Sequence, residues 1–185
     1  MVADVEREAR GRMEAAIESL RADLAAIRTG RAAPALLDKV RVDYYGTPTP
    51  LQQVAGISVP EPNQLLIRPW ERSTLNAIQK AILASDLGLT PNNDGQVIRL
   101  VIPSLTEERR RDLVKQVQRR VEEGRVAIRN IRRDSLSDVK DLENEKEITE
   151  DDFFDARDRL QKMTDELIKR LEDVGREKEQ EILQV

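Results

Sequence analysis

The side chains that could do chemistry in this sequence are mainly arginines, and they are concentrated in one stretch of the chain. Residues 109–133 carry nine Arg and one Lys against three acidic residues, a local balance of +7. If the stretch is helical, five cations fall within about 40° of one line along the helix. These five are Arg111, Lys115, Arg125, Arg129 and Arg133, with Arg132 between that line and the apolar stripe. Cations spaced along a rigid helix can bind successive phosphates of an RNA backbone.

The overall charge hides this concentration and leaves a second interpretation open. The net charge is −4, which alone argues against nucleic-acid binding. Residues 134–185, however, carry a balance of −9, so the chain is polarised. Ion pairs between the basic stretch and this acidic segment could use the same arginines. Charge alone does not decide between RNA binding and internal pairing.

Two further groups of residues could bind a ligand. Tyr44, Tyr45 and Trp70 could stack on nucleic-acid bases. Tyr44, however, alternates with Val40 and Val42, which favours a place in the core for that ring. The acidic residues 150–152 resemble a metal site only superficially, because carboxylates at the first turn of a helix stabilise its dipole.

The composition excludes several classes of enzyme. The chain has no His and no Cys, so it has no imidazole base, thiol nucleophile, disulfide or Cys/His metal site. It contains neither a phosphate-binding G-x-x-x-x-G-K-[ST] motif nor G-x-G-x-x-G. We therefore expect no catalytic residue, no metal and no cofactor. The first ten residues carry five charges and no window is apolar enough for a membrane span, which favours a cytoplasmic protein.

Three long helices are predicted to position the arginines. Apolar residues recur at steps of three and four over 3–28, 107–144 and 150–182. The second stripe is expected to bury Val114 and the third to bury Phe153. Thr149 is the expected N-cap of the third helix, and Gly30 suits the left-handed conformation after the first.

The segment 31–104 differs in composition from the helical segments, because it holds all eight prolines of the chain. Proline is excluded from helix interiors, so this segment is not expected to be one long helix. Alternating apolar residues predict strands at 39–45, 54–59, 64–69 and 97–102, and a helix at 73–85 with Leu83 on its apolar face. Turn residues predict turns at 46–48, 60–63 and 92–95. These elements indicate a small mixed α/β domain.

The predicted fold class is therefore α+β. An elongated antiparallel three-helix bundle is formed by residues 1–30 and 105–185, with the α/β domain of residues 31–104 inserted into it. Two short connections, 29–34 and 103–106, join the domains. They suggest a hinge at Thr29, Gly30, Pro103 and Ser104, with a rigid junction as the alternative.

Five motifs resemble the bacterial ribosome recycling factor family. They are Arg28-Thr29-Gly30-Arg31-Ala32, Tyr44-Tyr45-Gly46 followed by Pro50-Leu51, Ser85-Asp86-Leu87-Gly88-Leu89 leading to Asn92-Asn93-Asp94-Gly95, Pro103 to Arg110, and Arg125 to Asp134. They cover essentially the whole chain in order. One departure is Ser135-Leu136, where the family often has Ala and a polar residue.

The resemblance implies an L-shaped pair of domains with an outline like transfer RNA. Members of the family bind the post-termination ribosome and, with elongation factor G and its GTP, split the subunits and free the mRNA. The factor is not an enzyme. It binds large-subunit ribosomal RNA through arginines, which by position are Arg110, Arg129 and Arg132 in the bundle, with Arg28 and Arg31 near the hinge.

The arginine line and the family positions agree at Arg129 and are adjacent at Arg132 and Arg133. The expected RNA-binding set is therefore Arg28, Arg31, Arg110, Arg125, Arg129, Arg132 and Arg133. We expect a monomer that binds the ribosome and elongation factor G, and neither DNA nor a membrane. Two other classes stay open: a self-associating helical protein, and an enzyme that uses carboxylates or Tyr.

Overall fold

A computed structural model describes residues 1–184 of the 185-residue chain. The helices are α1 (Val2–Ala25), α2 (Leu51–Val54), α3 (Leu75–Ala84), α4 (Glu107–Asn144) and α5 (Glu150–Leu183). The strands are β1 (Arg41–Tyr44), β2 (Thr47–Pro50), β3 (Ala55–Glu61), β4 (Gln64–Pro69), β5 (Pro91–Asn93) and β6 (Ile98–Val101). Short 3₁₀ turns cover Pro34–Leu37 and Arg72–Thr74. The α+β class is confirmed.

The chain divides into two compact units. One, the helical unit, comprises Met1–Arg28 and the chain from Glu107 onward. The other, the inserted unit, comprises Thr29–Thr106. No helix among residues 1–184 is both long and apolar enough to cross a membrane.

The helical unit is an antiparallel three-helix bundle. Ion pairs fix the directions: Arg120 meets Asp23 and Arg12 meets Asp134, so α1 and α4 run in opposite directions. Helices α4 and α5 are also antiparallel, because Arg125 contacts Glu172 whereas Arg132, further along α4, contacts Gln161, which comes earlier in α5. The 38 residues of α4 give it a length of about 57 Å.

Each long helix contributes one buried stripe to the core of this unit. The buried residues of α4 are Leu113, Val117, Val121, Gly124, Ile128, Ile131, Ser135 and Val139. The predicted Val114 is only half-buried, and Leu113 takes its place. Phe153 is also half-buried and lies against the Lys140 ammonium, 4.7 Å from its ring centroid, so its place in the core was predicted wrongly.

Two glycines allow α4 and α5 to approach closely. A Cβ on Gly124 would lie 2.9 Å from Cδ1 of Leu171, and a Cβ on Gly175 would overlap Cγ2 of Val121. Real Cβ atoms do not tolerate such contacts, so any larger residue here forces the helices apart. Apolar side chains of one helix therefore pack onto the bare backbone of the other.

The turn between α4 and α5 is fixed at both ends. The Glu147 amide donates to the Leu142 carbonyl (2.9 Å) and the Lys146 amide to Glu143 (2.9 Å), the pattern of a Schellman cap. Lys146 has φ +62° at the left-handed position of this cap. The predicted N-cap of α5 is confirmed, because Thr149 Oγ1 accepts from the Asp152 amide at 3.1 Å and Asp152 accepts from the Thr149 amide at 2.9 Å.

The first helix is shorter than predicted. It ends at Ala25 rather than Arg28, and Ala26 is its C-cap in a right-handed conformation. Gly30 does have a positive φ of 77°, but it lies beyond the cap and does not end the helix. The extra residues join the connection to the inserted unit, whose first residue is Thr29.

The inserted unit contains two antiparallel sheets. Strands β3, β4, β6 and β5 lie in that order in one sheet, and β1 pairs with β2 in a hairpin. The predicted turn at 46–48 was placed wrongly, since Tyr45 and Gly46 form the turn with φ of +49° and +85°. Positive φ at both central residues is what a two-residue hairpin turn needs.

The core of this unit lies under α3, the hairpin and the four-stranded sheet. Fully buried side chains include Leu65 and Ile67 from β4, Ile98 and Leu100 from β6, and Ile78 of α3. Leu83, expected on the apolar face of α3, is 57% exposed. The strand pairing of β5 with β6 was also missed, because Asn92 and Asn93 have the composition of a turn.

The glycine contacts in the bundle predict opposite effects for two Gly→Ala substitutions. Gly175→Ala lowers the free energy of unfolding by about 1–3 kcal/mol, because its Cβ overlaps Val121. Gly11→Ala, in the middle of α1 with no atom within 4 Å of the new Cβ, raises it by about 0.5–1 kcal/mol. Urea unfolding of both variants, followed by circular dichroism, measures the difference.

The double variant Gly175→Ala/Val121→Ala identifies the cause. Shortening Val121 removes the atom that the new Cβ meets. The double variant is therefore destabilised by less than the sum of the destabilisations of the two single variants. Strictly additive changes in the free energy of unfolding, or a Gly175→Ala variant more stable than the original chain, would contradict the close approach of α4 to α5 at Gly175.

Candidate nucleic-acid interface

The basic face belongs to α4, whose bounds agree with the predicted 107–144. Glu107 and Glu108 in its first turn stabilise the positive end of the helix dipole. Because the buried stripe occupies one side of the helix, charged residues between the buried positions project toward α1, toward α5 or into solvent. The angular position of each arginine around α4 therefore determines whether its side chain reaches a carboxylate.

Arginines beside the neighbouring helices are held in ion pairs. Arg120 Nε donates to Asp23 Oδ2 of α1 at 2.9 Å, and its Nη1 donates to Glu123 at 2.9 Å. Arg125 donates from Nε to Glu172 Oε1 of α5 at 2.8 Å and from Nη1 to Glu122 at 2.6 Å.

Burial is the largest single influence on the pKa of Arg120 and lowers it, but the bonds to Glu123 and Asp23 together raise this pKa above its usual value. The bonds to Glu122 and Glu172 raise the pKa of Arg125 against a smaller opposing effect of burial. Arg111 is paired with Glu107 on its own helix.

Other cations of α4 remain without carboxylate partners. Four exposed side chains make no ion pair and no side-chain hydrogen bond within residues 1–184; they are Lys115, Arg119, Arg129 and Arg133. They lie within an arc of about 80° and span about 27 Å along the helix. We call these four residues the unpaired cation face. Val126, 47% exposed, lies within the same arc.

Arg110 and Arg132 flank this face in different environments. Arg132 is half-buried, and its Nη1 donates to the side-chain oxygen of Gln161 at 2.8 Å, so it is neutralised by no carboxylate within the described chain. Arg110 is half-buried in the first turn of α4 and makes no ion pair among residues 1–184. Both guanidinium groups keep most of their five donors for a ligand.

The alternative of internal pairing explains only part of the basic stretch. Among the pairs described in residues 1–184, only Arg125–Glu172 joins an α4 cation to a carboxylate of α5. Many α5 charges pair within their own helix or with α1, as Arg159 does with Glu6 at 2.7 Å. The acidic segment therefore leaves the charge of the unpaired cation face uncompensated.

Arg28 and Arg31 fall in different units. Arg28 is the last residue of the first part of the helical unit, and Arg31 belongs to the inserted unit. Both are exposed, and both make further interactions. Arg31 lines a cavity of about 370 Å³ together with Pro60 and Pro62.

The two connections touch each other inside the inserted unit. Gly30 lies against the other connection, since a Cβ there would be 3.3 Å from the Pro103 carbonyl oxygen and 3.4 Å from Leu105. With φ +77° and this contact, Gly30 is a position where only glycine fits without a shift. The structure therefore brings the predicted hinge residues Gly30 and Pro103 together.

The aromatic residues form a separate feature of the inserted unit. Tyr44 and Tyr45 both donate hydrogen bonds to Glu71, at 2.7 and 2.9 Å. Tyr44 is half-buried against the core, while Trp70 is 68% exposed. Sequence reasoning missed Glu71, because nothing in its local sequence shows that a turn 26 residues earlier supplies its partners.

The acidic residues at 150–152 serve the start of α5. Asp152 completes the capping box, and its hydrogen bonds from Thr149 lower the pKa of its carboxyl group. Among residues 1–184, no group of three or more acidic side chains is arranged to hold a metal ion.

Known proteins resemble the chain over its whole length. A family model described as "Ribosome recycling factor" matches residues 20–183. The ribosome-recycling factors of Carboxydothermus hydrogenoformans and Symbiobacterium thermophilum are each 54% identical over 185 residues, covering 100% of both chains. That of Heliobacterium modesticaldum is 52% identical with the same coverage.

Solved structures give the same result. A solution structure of the ribosome recycling factor aligns with a TM-score of 0.72 and 41% identity, covering 100% of this chain and 98% of the other. A second comes from models of the Thermus thermophilus ribosome recycling factor and the Escherichia coli elongation factor G bound to the E. coli post-termination complex. It aligns with a TM-score of 0.62 and 46% identity, covering 100% of each chain.

The pairing pattern predicts which arginines stabilise the fold. Arg125→Ala lowers the free energy of unfolding by about 1 kcal/mol, because it leaves Glu122 and Glu172 without their shared partner. Arg129→Ala changes it by less than about 0.5 kcal/mol, since no contact is lost. Urea unfolding at low and high salt measures both, and the Arg125 effect shrinks at high salt. Equal destabilisation by the two substitutions would contradict the division into paired and unpaired cations.

Proposed function

The chain belongs to the ribosome recycling factor family, and from this premise we propose that it recycles post-termination ribosomes together with elongation factor G and GTP. It binds the ribosome after peptide release and promotes dissociation into subunits and release of the mRNA. It acts in the cytoplasm as a monomer. The observation that carries the proposal is the unpaired cation face on α4, in a chain 54% identical to a ribosome-recycling factor over its full length.

The unpaired cation face suits an RNA backbone for an energetic reason. Arg129 and Arg133 break no ion pair when they bind a phosphate, so their binding is not offset by the loss of an internal contact. Arg132 gives up only one hydrogen bond to a neutral amide. Guanidinium groups bind phosphate oxygens in bidentate geometry, and a rigid helix fixes their spacing.

We place the family positions and the helix pattern into one site on this basis. Arg129, Arg132 and Arg133 form its centre, and Arg110 extends it toward the start of α4. Arg125 contributes less, because it is already committed to two carboxylates. Arg28 and Arg31 are a second point of contact with large-subunit ribosomal RNA.

The acidic remainder of the bundle orients the molecule. Residues 134–185 carry a balance of −9, so this part of the bundle repels phosphate-rich RNA. The unpaired cation face attracts RNA, as do the flanking Arg110 and Arg132 and the second contact at Arg28 and Arg31. A net charge of −4 is therefore compatible with specific RNA binding and disfavours binding in the wrong orientation.

We propose that the chain is not itself an enzyme. GTP hydrolysis belongs to elongation factor G, and the chain converts the resulting motion into subunit separation. The connections 29–34 and 103–106 then serve as the hinge on which the inserted unit moves. The backbone dihedral angles that change in this motion are those of Thr29, Gly30, Pro103 and Ser104. The contact of Gly30 with Pro103 couples the two connections.

The function is tested by subunit splitting. The purified chain dissociates post-termination ribosomes, measured by light scattering, only when elongation factor G and GTP are both present. Arg129→Ala/Arg133→Ala raises the concentration of the chain needed for half-maximal splitting by about tenfold or more. It also lowers the slope of log affinity for the large subunit against log salt by about 1 per arginine.

Lys162→Ala/Lys169→Ala is the matched control, because it also removes two exposed cations that make no ion pair among residues 1–184, but from α5 rather than from α4. It leaves both the splitting and the salt slope unchanged. Splitting without elongation factor G would refute the proposed partnership, and an unchanged salt slope in the double variant would refute RNA binding by this face.

The hinge is tested by energy transfer between two dyes. The chain has no cysteine, so Asn76→Cys in α3 and Lys169→Cys in α5, both exposed, give a unique pair of labels. The transfer efficiency of the ribosome-bound chain changes when elongation factor G is added with a non-hydrolysable GTP analogue. Labels at Ser137 and Lys169, both in the helical unit, show no change. A constant efficiency for the first pair would favour a rigid junction.

A further inference from the structure

The inserted unit contains a cavity that is lined by none of the arginines assigned above to RNA. Its volume is about 380 Å³ and its lining includes Tyr44, Gln53, Val54, Trp70 and Glu71. Val54 is buried and forms an apolar floor, whereas Trp70 and Glu71 are exposed at the rim. The cavity therefore combines one buried apolar side chain, two aromatic rings and one carboxylate with the polar side chains of Thr49, Gln53 and Thr74.

The carboxylate of Glu71 is anionic and has no cationic partner. Tyr44 Oη donates to its Oε1 at 2.7 Å, and Tyr45 Oη donates to its Oε2 at 2.9 Å. These two hydroxyl groups hold the pKa of Glu71 below its usual range. Glu71 makes no ion pair within residues 1–184, and the nearby Arg72 donates instead to the Gly95 carbonyl. A carboxylate has about four acceptor positions, so about two remain for a ligand.

The aromatic rings beside this carboxylate are held in solvent. Trp70 is 68% exposed, with its ring edge against Gly56, where a Cβ would lie 3.1 Å from the indole. Tyr45 is 77% exposed and has φ +49°, a conformation that bulky residues rarely adopt. Its ring packs edge-on against Tyr44, with centroids 4.6 Å apart. The turn and the hydrogen bond to Glu71 keep Tyr45 in this strained and exposed position.

We propose that this pocket binds an arginine side chain presented by a protein partner. The guanidinium group donates to the remaining acceptor positions of Glu71 and stacks on Trp70, whose indole is the best aromatic partner for a cation. The aliphatic stem of the arginine covers the floor at Val54. The partner is thus a protein with a basic segment, engaged by the inserted unit rather than by α4.

Charge selects this occupant over a nucleic-acid base. The exposed rings could stack on a base, but a nucleotide also carries a phosphate, which the Glu71 carboxylate repels at close range. A guanidinium group satisfies the rings and the carboxylate together. The same hydrogen bonds also pin the hairpin turn to the end of β4, so a test must separate binding from this structural role.

The experiment is a peptide titration of the full chain followed by NMR. Trp70 is the only tryptophan, so its indole N–H gives one assigned signal at the pocket. The probes are N-acetyl-Gly-Arg-Gly-amide and the same peptide with citrulline, which has the shape of arginine without its charge. The arginine peptide shifts the indole signal saturably, with a Kd at least about fivefold lower than that of the citrulline peptide.

Two variants localise the effect. Glu71→Gln keeps an acceptor for the tyrosine hydroxyl groups but removes the charge, and it weakens binding of the arginine peptide by about fivefold or more. Glu61→Gln removes an exposed charge elsewhere in the same unit and leaves the affinity unchanged.

Three results would overturn the proposal: equal binding of the two peptides, unchanged affinity in Glu71→Gln, or a response to AMP that exceeds the response to arginine. The comparison of peptides uses the unaltered chain, so it decides the question even if Glu71→Gln perturbs the hairpin.

Discussion

The close packing of α5 on α4 at two glycines is the constraint on which the basic surface depends. Leu171 packs onto Gly124 and Val121 onto Gly175, at distances that leave no room for a Cβ. This contact sets how the two helices are rotated toward each other. Rotation in turn decides which α4 side chains reach the carboxylates of α5 and which point into solvent.

The division of the arginines follows from this geometry. Arg125 lies beside the glycine contact and reaches Glu172, whereas Arg129, one turn further along and rotated by about 40°, reaches no carboxylate. Two arginines on one helix thus have different roles, although both belong to the same line in the sequence. The bundle uses one cation to hold its helices together and leaves the next available for a ligand.

The sequence predicts helices better than strands here, for reasons visible at particular residues. The apolar steps of α4 continue without interruption for 38 residues between clear end signals, so both of its ends were predicted correctly. Strand β2 was missed because it contains Pro48 and Pro50. Proline is tolerated there because β2 pairs on one side only. Leu113 replaced Val114 in the core because the facing helices, which the α4 sequence does not specify, decide the burial at that end.

The candidate sites divide in the same way. The basic face could be predicted because all of its residues lie on one helix at a regular spacing. The ion pairing of Arg125 could not be predicted, because it depends on how α5 is aligned beside α4. For the Glu71 pocket, the sequence singled out the aromatic residues Tyr44, Tyr45 and Trp70 but not the carboxylate or the way the pocket is assembled. It is assembled by a hairpin turn at Tyr45 and the end of β4, which are distant in sequence and meet only in the folded unit.

The unpaired cation face and the Glu71 pocket carry opposite charges, and this difference supports the proposal that the two units bind different partners. The unpaired cation face attracts phosphates, whereas the Glu71 pocket repels them and attracts guanidinium groups. On a particle as rich in phosphate as a ribosome, the negative charge of the Glu71 carboxylate disfavours RNA, although the exposed rings beside it could stack on a base. It suits the protein contact proposed for the inserted unit, whereas the unpaired cation face suits the RNA contact proposed for the helical unit. Surfaces of opposite charge on two compact units do not compete for one ligand, and the proposed mechanism, in which RNA holds the factor while a protein moves it, needs such surfaces.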